Sequence, residues 1–459
     1  MNFIPFKQRM QAEGLPEIVI QTFQFYYDQL AAGHTGYIPE SDIRPIETLP
    51  EADTFGDELA QLGRRELPRT VMIKLNGGLG TSMGLNKAKS LLPVKQGLTF
   101  LDIIARQAIH ARLPLLLMNS FATRDDSLAA LRSYPELWEN HLGLDFVQHK
   151  FPKVRQSDLA PAEWPPNPRL EWNPPGHGDI YTALLTSGTL DRLLQAGYRH
   201  AFISNGDNLG AVIDPAILGY FAQNDLPFLM EVTERTESDR KGGHLARRLD
   251  GQLILRELAQ CPPEDRHVFE NVSRHKFFNT NNLWVSLPVL AELLERKNGI
   301  LGLPLIRNAK TVDPRDPDST PVYQLETAMG SAIAVFEGAQ AVRVPRTRFA
   351  PVKTTDQLLA VRSDAYLLTE DYRVIPHPSR PKPPVIRLDS RFYRLIDGLE
   401  ARFPRGAPSL LGCERLEIEG DVGFGAGVRL EGEVLLRNQS GKQVWVEDAA
   451  RLRGKYEWS

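Results

Sequence analysis

The run Thr70-Val71-Met72-Ile73 is short and apolar, the pattern of a strand buried on both faces. The stretch after it, Lys74 to Ser90, places four glycines, Gly77, Gly78, Gly80 and Gly84, within eight positions. Such a backbone can turn back on itself with its N–H groups pointing inward, and small residues admit close approach. The stretch therefore predicts a cradle for phosphate oxygens at the carboxyl end of a strand. It fits neither common phosphate fingerprint. No Gly-Lys-Ser/Thr follows at P-loop spacing, and the glycines fall as G-x-G-x-x-x-G rather than G-x-G-x-x-G. Lys87 and Lys89 close the stretch, and Lys89 stands where its ammonium reaches phosphates held in the loop.

The rest of the chain sets the frame for that loop. Its 459 residues exceed what one hydrophobic core holds, so two or three domains are expected. From about residue 69 to 360, strand-like runs alternate with helical patterns. Leu113–Met118, Ala201–Ser204 and Phe228–Val232 read as strands, and Phe100–His110 and Leu190–Ala196 read as helices. The rhythm predicts an α/β domain with a largely parallel sheet, in which ligands sit beyond the carboxyl ends of the strands. Asn205-Gly206-Asp207 also follows an apolar run, so it should face the same cleft as the glycine loop. The proline-rich segment from Phe151 to Pro175 reads as an irregular surface loop framing that cleft.

Three segments are expected: a helical, peripheral one over residues 1–66, an α/β domain over 67–376 and a C-terminal domain over 385–459. Pro16-Glu17 opens the helix of the first, and HPSRPKPP, residues 377–384, reads as the connector before the last. In the tail Leu416, Val422, Val428 and Val434 recur every six residues, interleaved with Ile418, Phe424, Leu430 and Leu436. A hexapeptide period of this kind is the signature of a β-helix. The net charge of -3 offers no bulk attraction for nucleic acid or a membrane surface, and no long apolar run suggests a membrane span. Cys261 and Cys413 lack metal-ligand spacing and suit a reducing, cytoplasmic setting.

Asp207, at a strand end, is the metal candidate, because Mg²⁺ is commonly held by a single carboxylate together with substrate phosphates. Lys89 and Lys353 are the cations that could offset phosphate charge. His177, between two glycines and with no nucleophile in a triad-like setting, reads as a ligand contact and not as a base. The amides of Asn279-Thr280-Asn281-Asn282 suit sugar hydroxyls, since an amide both donates and accepts, and Glu326 could likewise meet a sugar or open a helix.

Seven stretches in order resemble one family: KLNGGLGTSMG (74–84) with Lys89-Ser90, PPGHGDIY (174–181), FISNGDNLGA (202–211), KGGHLA (241–246), FFNTNNLWVSL (277–287), QLETAMGSAI (324–333) and RFAPVKTTDQLL (348–359). They resemble the eukaryotic-type UTP–glucose-1-phosphate uridylyltransferases, also called UDP-glucose pyrophosphorylases. The resemblance implies a Rossmann-like, GT-A-like nucleotidyltransferase domain with a C-terminal left-handed β-helix. It implies Mg²⁺-dependent conversion of UTP and glucose 1-phosphate to UDP-glucose and pyrophosphate. It assigns Leu75, Asn76, Gly77 and Gly78 to the nucleotide loop, Lys89 to the α-phosphate and leaving group, and Gln148 and Gly176 to uracil. His177 and Asn205 fall to the sugar phosphate, Asp207 to the metal, Lys353 to the phosphates, and Gly243, Asn279 and Glu326 to the sugar pocket. Self-association through the tail is a further expectation. Where relatives often carry Gly-Pro-Lys this chain has Lys87-Ala88-Lys89, which keeps the lysine and loses the proline.

Two neighbouring activities share these motifs: a broader UDP-sugar pyrophosphorylase and one for UDP-N-acetylhexosamine. A non-catalytic nucleotide-binding protein of the same fold would not require Lys89, Asp207 and Lys353 together. An NAD-dependent oxidoreductase would require the missing G-x-G-x-x-G.

Overall fold

A computed structural model describes every residue except Met1, Asn86, Asn140, His141 and Pro381, together with the side chain of Ser82. Asn86 of the glycine loop and Pro381 of the connector thus lie outside the described residues. The buried run forms the strand Thr70–Asn76, six of whose seven residues are buried because neighbours cover both faces. It is the middle of a ten-stranded sheet. His200–Asn205 lies on one side of it and Leu115–Asn119 on the other, both parallel, and Asp145–Val147 extends the parallel part.

The sheet departs from the largely parallel arrangement expected from the alternating pattern. Phe277–Ser286 runs antiparallel between His200–Asn205 and Phe228–Glu234. Beyond it the His244–Arg248, Leu253–Arg256 and Ile43–Arg44 strands also pair antiparallel. The sheet is therefore mixed. Part of the reason is local: His244–Arg248 and Leu253–Arg256 are joined by a short turn, and a connection that short permits only antiparallel neighbours.

The Phe151–Pro175 segment is more ordered than its prolines suggest. Phe151–Pro152 pairs with Trp172–Asn173, and Val154 pairs with Tyr323, so the segment's two ends are closed into ladders and Phe151 and Val154 are buried. The N-terminal helix Glu17–Ala31 lays Phe23 and Tyr27 on this wall, with the Phe23 and Phe151 ring centroids 5.1 Å apart. None of the helices among the described residues is long and apolar enough to cross a membrane.

In the tail both six-residue series are buried, every member at 2% exposure or less. Ser409–Glu419, Arg429–Asn438 and Arg451–Trp458 stack in parallel with Val385–Leu388, and Val422–Phe424 pairs in parallel with Val444–Val446. What the structure shows here is a pair of parallel sheets. Leu416 faces Val434 and Ile418 faces Leu436, so laddered neighbours are three hexapeptide periods apart and not one. The tail packs on the α/β part through a shared apolar core that includes Phe100, Leu358 and Tyr393. Polar ties supplement it: the Asp364 carboxylate accepts from the Leu410 and Leu411 N–H groups at 2.7 and 3.0 Å.

Helices Asp57–Glu66 and Pro215–Gln223 cross at two glycines. A Cβ at Gly219 would lie 1.9 Å from the Leu59 carbonyl oxygen, and one at Gly63 would lie 1.7 Å from that of Pro215. Alanine in a helix gains about 1 kcal/mol over glycine, but these backbones cannot part that far without losing their packing. Gly219→Ala is therefore expected to destabilise the protein by about 2 kcal/mol or more, read as a lower urea midpoint. An unchanged midpoint would contradict the close crossing.

Candidate active site

The parallel pairing of Thr70–Asn76 with His200–Asn205 runs in register from Thr70 opposite His200 to Leu75 opposite Asn205. Both strands end at one edge, so the glycine loop and the Asn205-Gly206-Asp207 turn leave side by side. The Gly206 N–H donates to the Leu75 carbonyl at 3.0 Å, and a side chain at Gly206 would meet that oxygen at 2.8 Å. Gly80 and Gly84 take positive φ of 65° and 77°, the turns anticipated for the loop. The loop then returns so that the Lys89 N–H donates to the Gly78 carbonyl at 3.0 Å. Ala88 holds φ at -52°, within proline's own range, so the missing proline leaves the approach to Lys89 undisturbed. The Lys89 ammonium meets Asp207 Oδ2 at 2.5 Å, with both side chains largely shielded from water.

These residues line a cleft of about 340 Å³. Leu75, Asn76, Gly77, Gly78, Lys89, Gln148, Gly176, His177, Asn205 and Asp207, each anticipated from sequence, all face it. Gln148 lies flat on Gly77, where an added Cβ would come within 2.8 Å of its amide, and its N–H donates to the Asn119 carbonyl at 2.8 Å. The Asn76 amide is turned inward, donating to Asn119 Oδ1 and Ser127 Oγ, so this residue braces the loop's base.

The opposite wall is the 174–179 turn, seated on the end of the Pro321–Glu326 strand. Thr327 donates its N–H to the Pro175 carbonyl at 2.9 Å and accepts from the Gly178 N–H at the same distance. Gly176, at φ 79°, passes so close that a Cβ would sit 2.3 Å from the Thr327 carbonyl oxygen. His177 Nδ1 accepts from the Met329 N–H at 2.8 Å. Its proton is therefore on Nε2. Burial, with the Lys353 charge adding to it, pulls the imidazole down to about 4. His177 is a neutral donor, in keeping with a ligand contact and not a base.

Four residues anticipated from sequence lie off this cleft. Lys353 lines an adjoining cavity of about 730 Å³ with Lys241, Phe278 and Phe349. Asn279 donates its N–H to the Gly243 carbonyl at 3.2 Å, so these two are neighbours. Glu326 stands behind Gly176 and hydrogen-bonds Asn308, away from the cleft lining. Sequence reasoning missed Glu257, whose carboxylate lies against Gly243, 2.5 Å from where a Cβ would be. Burial pushes Glu257 up to about 7, against the pull of the Lys353 charge. It sits in an unremarkable Leu-Arg-Glu-Leu context, and no spacing could have flagged it. Lys74 was passed over as the loop's first residue. It is 1% exposed and donates to Ser204 Oγ and the Ala211 carbonyl, both at 2.7 Å, pinning the turn that carries Asp207. Burial, reinforced by nearby Arg348, brings its ammonium down to about 7. Among the described residues no group of three or more His, Cys, Asp or Glu could hold a metal.

Residues 20–431 match the sequence model of a family described as UTP–glucose-1-phosphate uridylyltransferase. A protein of that name from Solanum tuberosum is 40% identical over 415 residues, covering 87% of this chain and 84% of the relative. The one from Saccharomyces cerevisiae is 40% identical over 395 residues, covering 84% and 77%. Among solved structures, a UDP-glucose pyrophosphorylase variant from Leishmania major in complex with UDP-glucose aligns with a TM-score of 0.91 at 45% identity, over 99% of each chain. One from Trypanosoma brucei aligns at 0.88 and 46% identity, over 100% of this chain and 99% of its own.

The held tautomer of His177 can be read directly. Its ring nitrogens should show no titration in ¹⁵N spectra between pH 8 and 5, where a free imidazole protonates at about 6.5. Because the folded form resists protonation, the unfolded chain binds the extra proton. The contribution of this group to stability is complete above about pH 6.5 and is lost as pH falls toward about 4. A midpoint near 6.5 in the native protein would overturn the Met329 contact.

Proposed function

The chain belongs to the UTP–glucose-1-phosphate uridylyltransferase family, and from that membership we propose how its cleft transfers a uridylyl group to glucose 1-phosphate. The observation that carries the reading is one cleft holding the glycine loop, Lys89, Gln148, His177 and Asp207 together. A phosphate oxygen of glucose 1-phosphate attacks the α-phosphorus of UTP. The new P–O bond forms as the bond to the β-phosphate oxygen breaks, and pyrophosphate leaves with the electron pair. The attacking oxygen is already anionic, so no general base is needed. The protein's contribution is alignment and relief of charge repulsion.

In this reading the loop amides of Leu75 to Gly78 hold the nucleotide. Gln148, fixed by its flat seat on Gly77, offers both a donor and an acceptor to uracil, and the Gly176 backbone closes that pocket. Cytosine would present mismatched groups to the same amide. His177 donates from Nε2 to the sugar phosphate, and Asn205 borders the same place. Lys89 lies against the α-phosphate, and Lys353 approaches from the adjoining cavity. Gly243, Asn279 and the newly recognised Glu257 form the wall nearest the sugar hydroxyls, with Glu326 acting at longer range through Gly176.

The donor set fits Mg²⁺: one strand-end carboxylate beside a phosphate cradle suits an ion that keeps its waters and takes the remaining ligands from substrate. Asp207 would hold it, and when bound the ion neutralises phosphate charge. In the structure Asp207 is paired with Lys89, so the Asp207 carboxylate would be shared between this lysine and the ion, and Lys89 would be free to offset phosphate charge.

We further read the parallel tail strands as a short left-handed β-helix, on the three-period spacing of their partners. Its last strand, Arg451–Trp458, pairs on one side only and leaves an edge through which copies could associate. Light scattering that gives one chain per particle at working concentrations would sink that part.

A pyrophosphate-release assay across nucleotides and sugar 1-phosphates tests the central reading, with UTP and glucose 1-phosphate expected to lead. Asp207→Asn and Lys89→Ala should each slow turnover by about a hundredfold or more, the scale of losing one charge stabiliser. Near-wild-type turnover in either folded variant would refute the site assignment.

A further inference from the structure

Lys353 arrives at the site on a segment with little structure of its own. Between the Gln340–Arg343 strand and the Thr355–Arg362 helix there is only the short turn Arg346–Arg348. Arg346 ties its start to the Asp239 carboxylate at 2.6 and 3.0 Å, and one amide, with a backbone bridge between Asn208 and Pro351, ties its later part to the Asp207 turn. Asn208, 2% exposed, accepts at Oδ1 from the Ala350 N–H at 2.9 Å and from the Gly210 N–H at 3.2 Å. Its Nδ2 donates to the Arg348 carbonyl at 3.0 Å and to Asn282 Oδ1 at 3.2 Å. Beside it the Val352 N–H donates to the Asp207 carbonyl at 3.3 Å. Three of the four bonds of the Asn208 side chain thus go to the Asp207 turn and the Lys353 segment, and the fourth goes to Asn282 on the Phe277–Ser286 strand.

The amide has a rigid backing. Asn282 Nδ2 donates to Glu231 Oε2 at 2.9 Å, and Trp284 Nε1 donates to Glu231 Oε1 at 3.0 Å. Arg348 grips the same carboxylate with two bonds of 2.8 and 2.6 Å. Glu231 is fully buried, and a charge so placed is tolerable only because its partners surround it. A fully satisfied buried network of this kind admits one arrangement and resists distortion. Lys74 anchors the far end of the Asp207 turn through Ala211.

We propose that Asn208 is a positioning residue that joins the Asp207 turn to the Lys353 segment, so that the two groups flanking the phosphates move as one body. The inference rests on the reading of Lys353 as a phosphate contact. Only asparagine suits the position. Aspartate would accept from Ala350 and Gly210 but leave Asn282 Oδ1 without its donor and the Arg348 carbonyl with only the longer 3.3 Å bond from Asn282 Nδ2, and it would bury a second charge beside Glu231. Leucine would match the size and satisfy none of the four.

The test is a double-mutant cycle on the full chain, with kcat, KM for UTP and Tm measured for each variant. Asn208→Ala is expected to lower kcat by about tenfold to a hundredfold, the usual effect of a misplaced group. It should move KM for UTP by less than about threefold, since ground-state binding rests on the glycine loop and Gln148. In a Lys353→Met background the same substitution should add nothing, because the group it positions is gone. Trp284→Phe removes one hydrogen bond from the same network and gives the loss that general loosening of the core brings. Should Asn208→Ala not fold, Asn208→Ser keeps a short polar group and reads the same cycle. Losses that multiply across the cycle, or a full kcat at a lowered Tm, would overturn the role of Asn208. A near-wild-type rate for Lys353→Met alone would instead overturn the phosphate reading of Lys353, whatever Asn208 does.

Discussion

The Lys89 ammonium meets the Asp207 carboxylate at 2.5 Å although the two are 118 residues apart in the chain. Everything at the site depends on the parallel ladder that makes this contact possible. Six aligned pairs, from Thr70 opposite His200 to Leu75 opposite Asn205, bring two strands to the same edge. A slip of one residue would turn every side chain of Thr70–Asn76 to the other face. The buried pattern on both faces makes such a slip costly, so the loop and the turn hold their places. The ion pair itself contributes modestly to stability, because both groups retain some access to water. Its importance is that two opposite charges lie side by side at the mouth of the cleft formed by the glycine loop and the 205–207 turn.

Around that contact the walls are built by close approaches: Gly206 lies on the Leu75 carbonyl and Gly176 passes over Thr327 where backbone atoms leave no room for a Cβ, and Gln148 rests its amide on Gly77. Each brings backbone or amide polar groups to the cleft surface at a fixed height. A nucleotide recognised by such groups meets little conformational freedom, which lowers the ordering cost of binding. The second cavity differs in character: Lys353 is exposed there, whereas the Lys89 side chain at the loop is largely shielded.

Local signals in the sequence carried much of the reading. The hexapeptide series in the tail was legible because each apolar side chain repeats at a fixed offset, and all eight turned out to be buried. The glycine loop, the PPGHGD turn and the NGD turn were legible because each follows a short apolar run or a proline break. Other features were not. The antiparallel course of Phe277–Ser286 depends on which neighbour a strand finds, and a run of apolar residues is silent about direction. Glu257 has an ordinary local context, while Lys74 and Asn208 lie in matched stretches that do not name their partners, and the contacts of all three come from groups brought together by folding. Glu326 shows the converse: it belongs to a matched stretch, yet its side chain turns to Asn308 on the neighbouring strand.

The sequence by itself determined the strands, the glycine turns and the residue types able to meet phosphate, uracil and a hard cation, because those depend on contacts within a few residues. It also carried enough ordered motifs to point to one family. The tertiary structure decided which of those residues share a cleft, which lysine pairs with Asp207, and how the Lys353 segment is tied to that turn. These are matters of long-range pairing. A charge 118 positions away exerts no pull in an extended chain and a strong one at 2.5 Å, and only the packed sheet sets that distance.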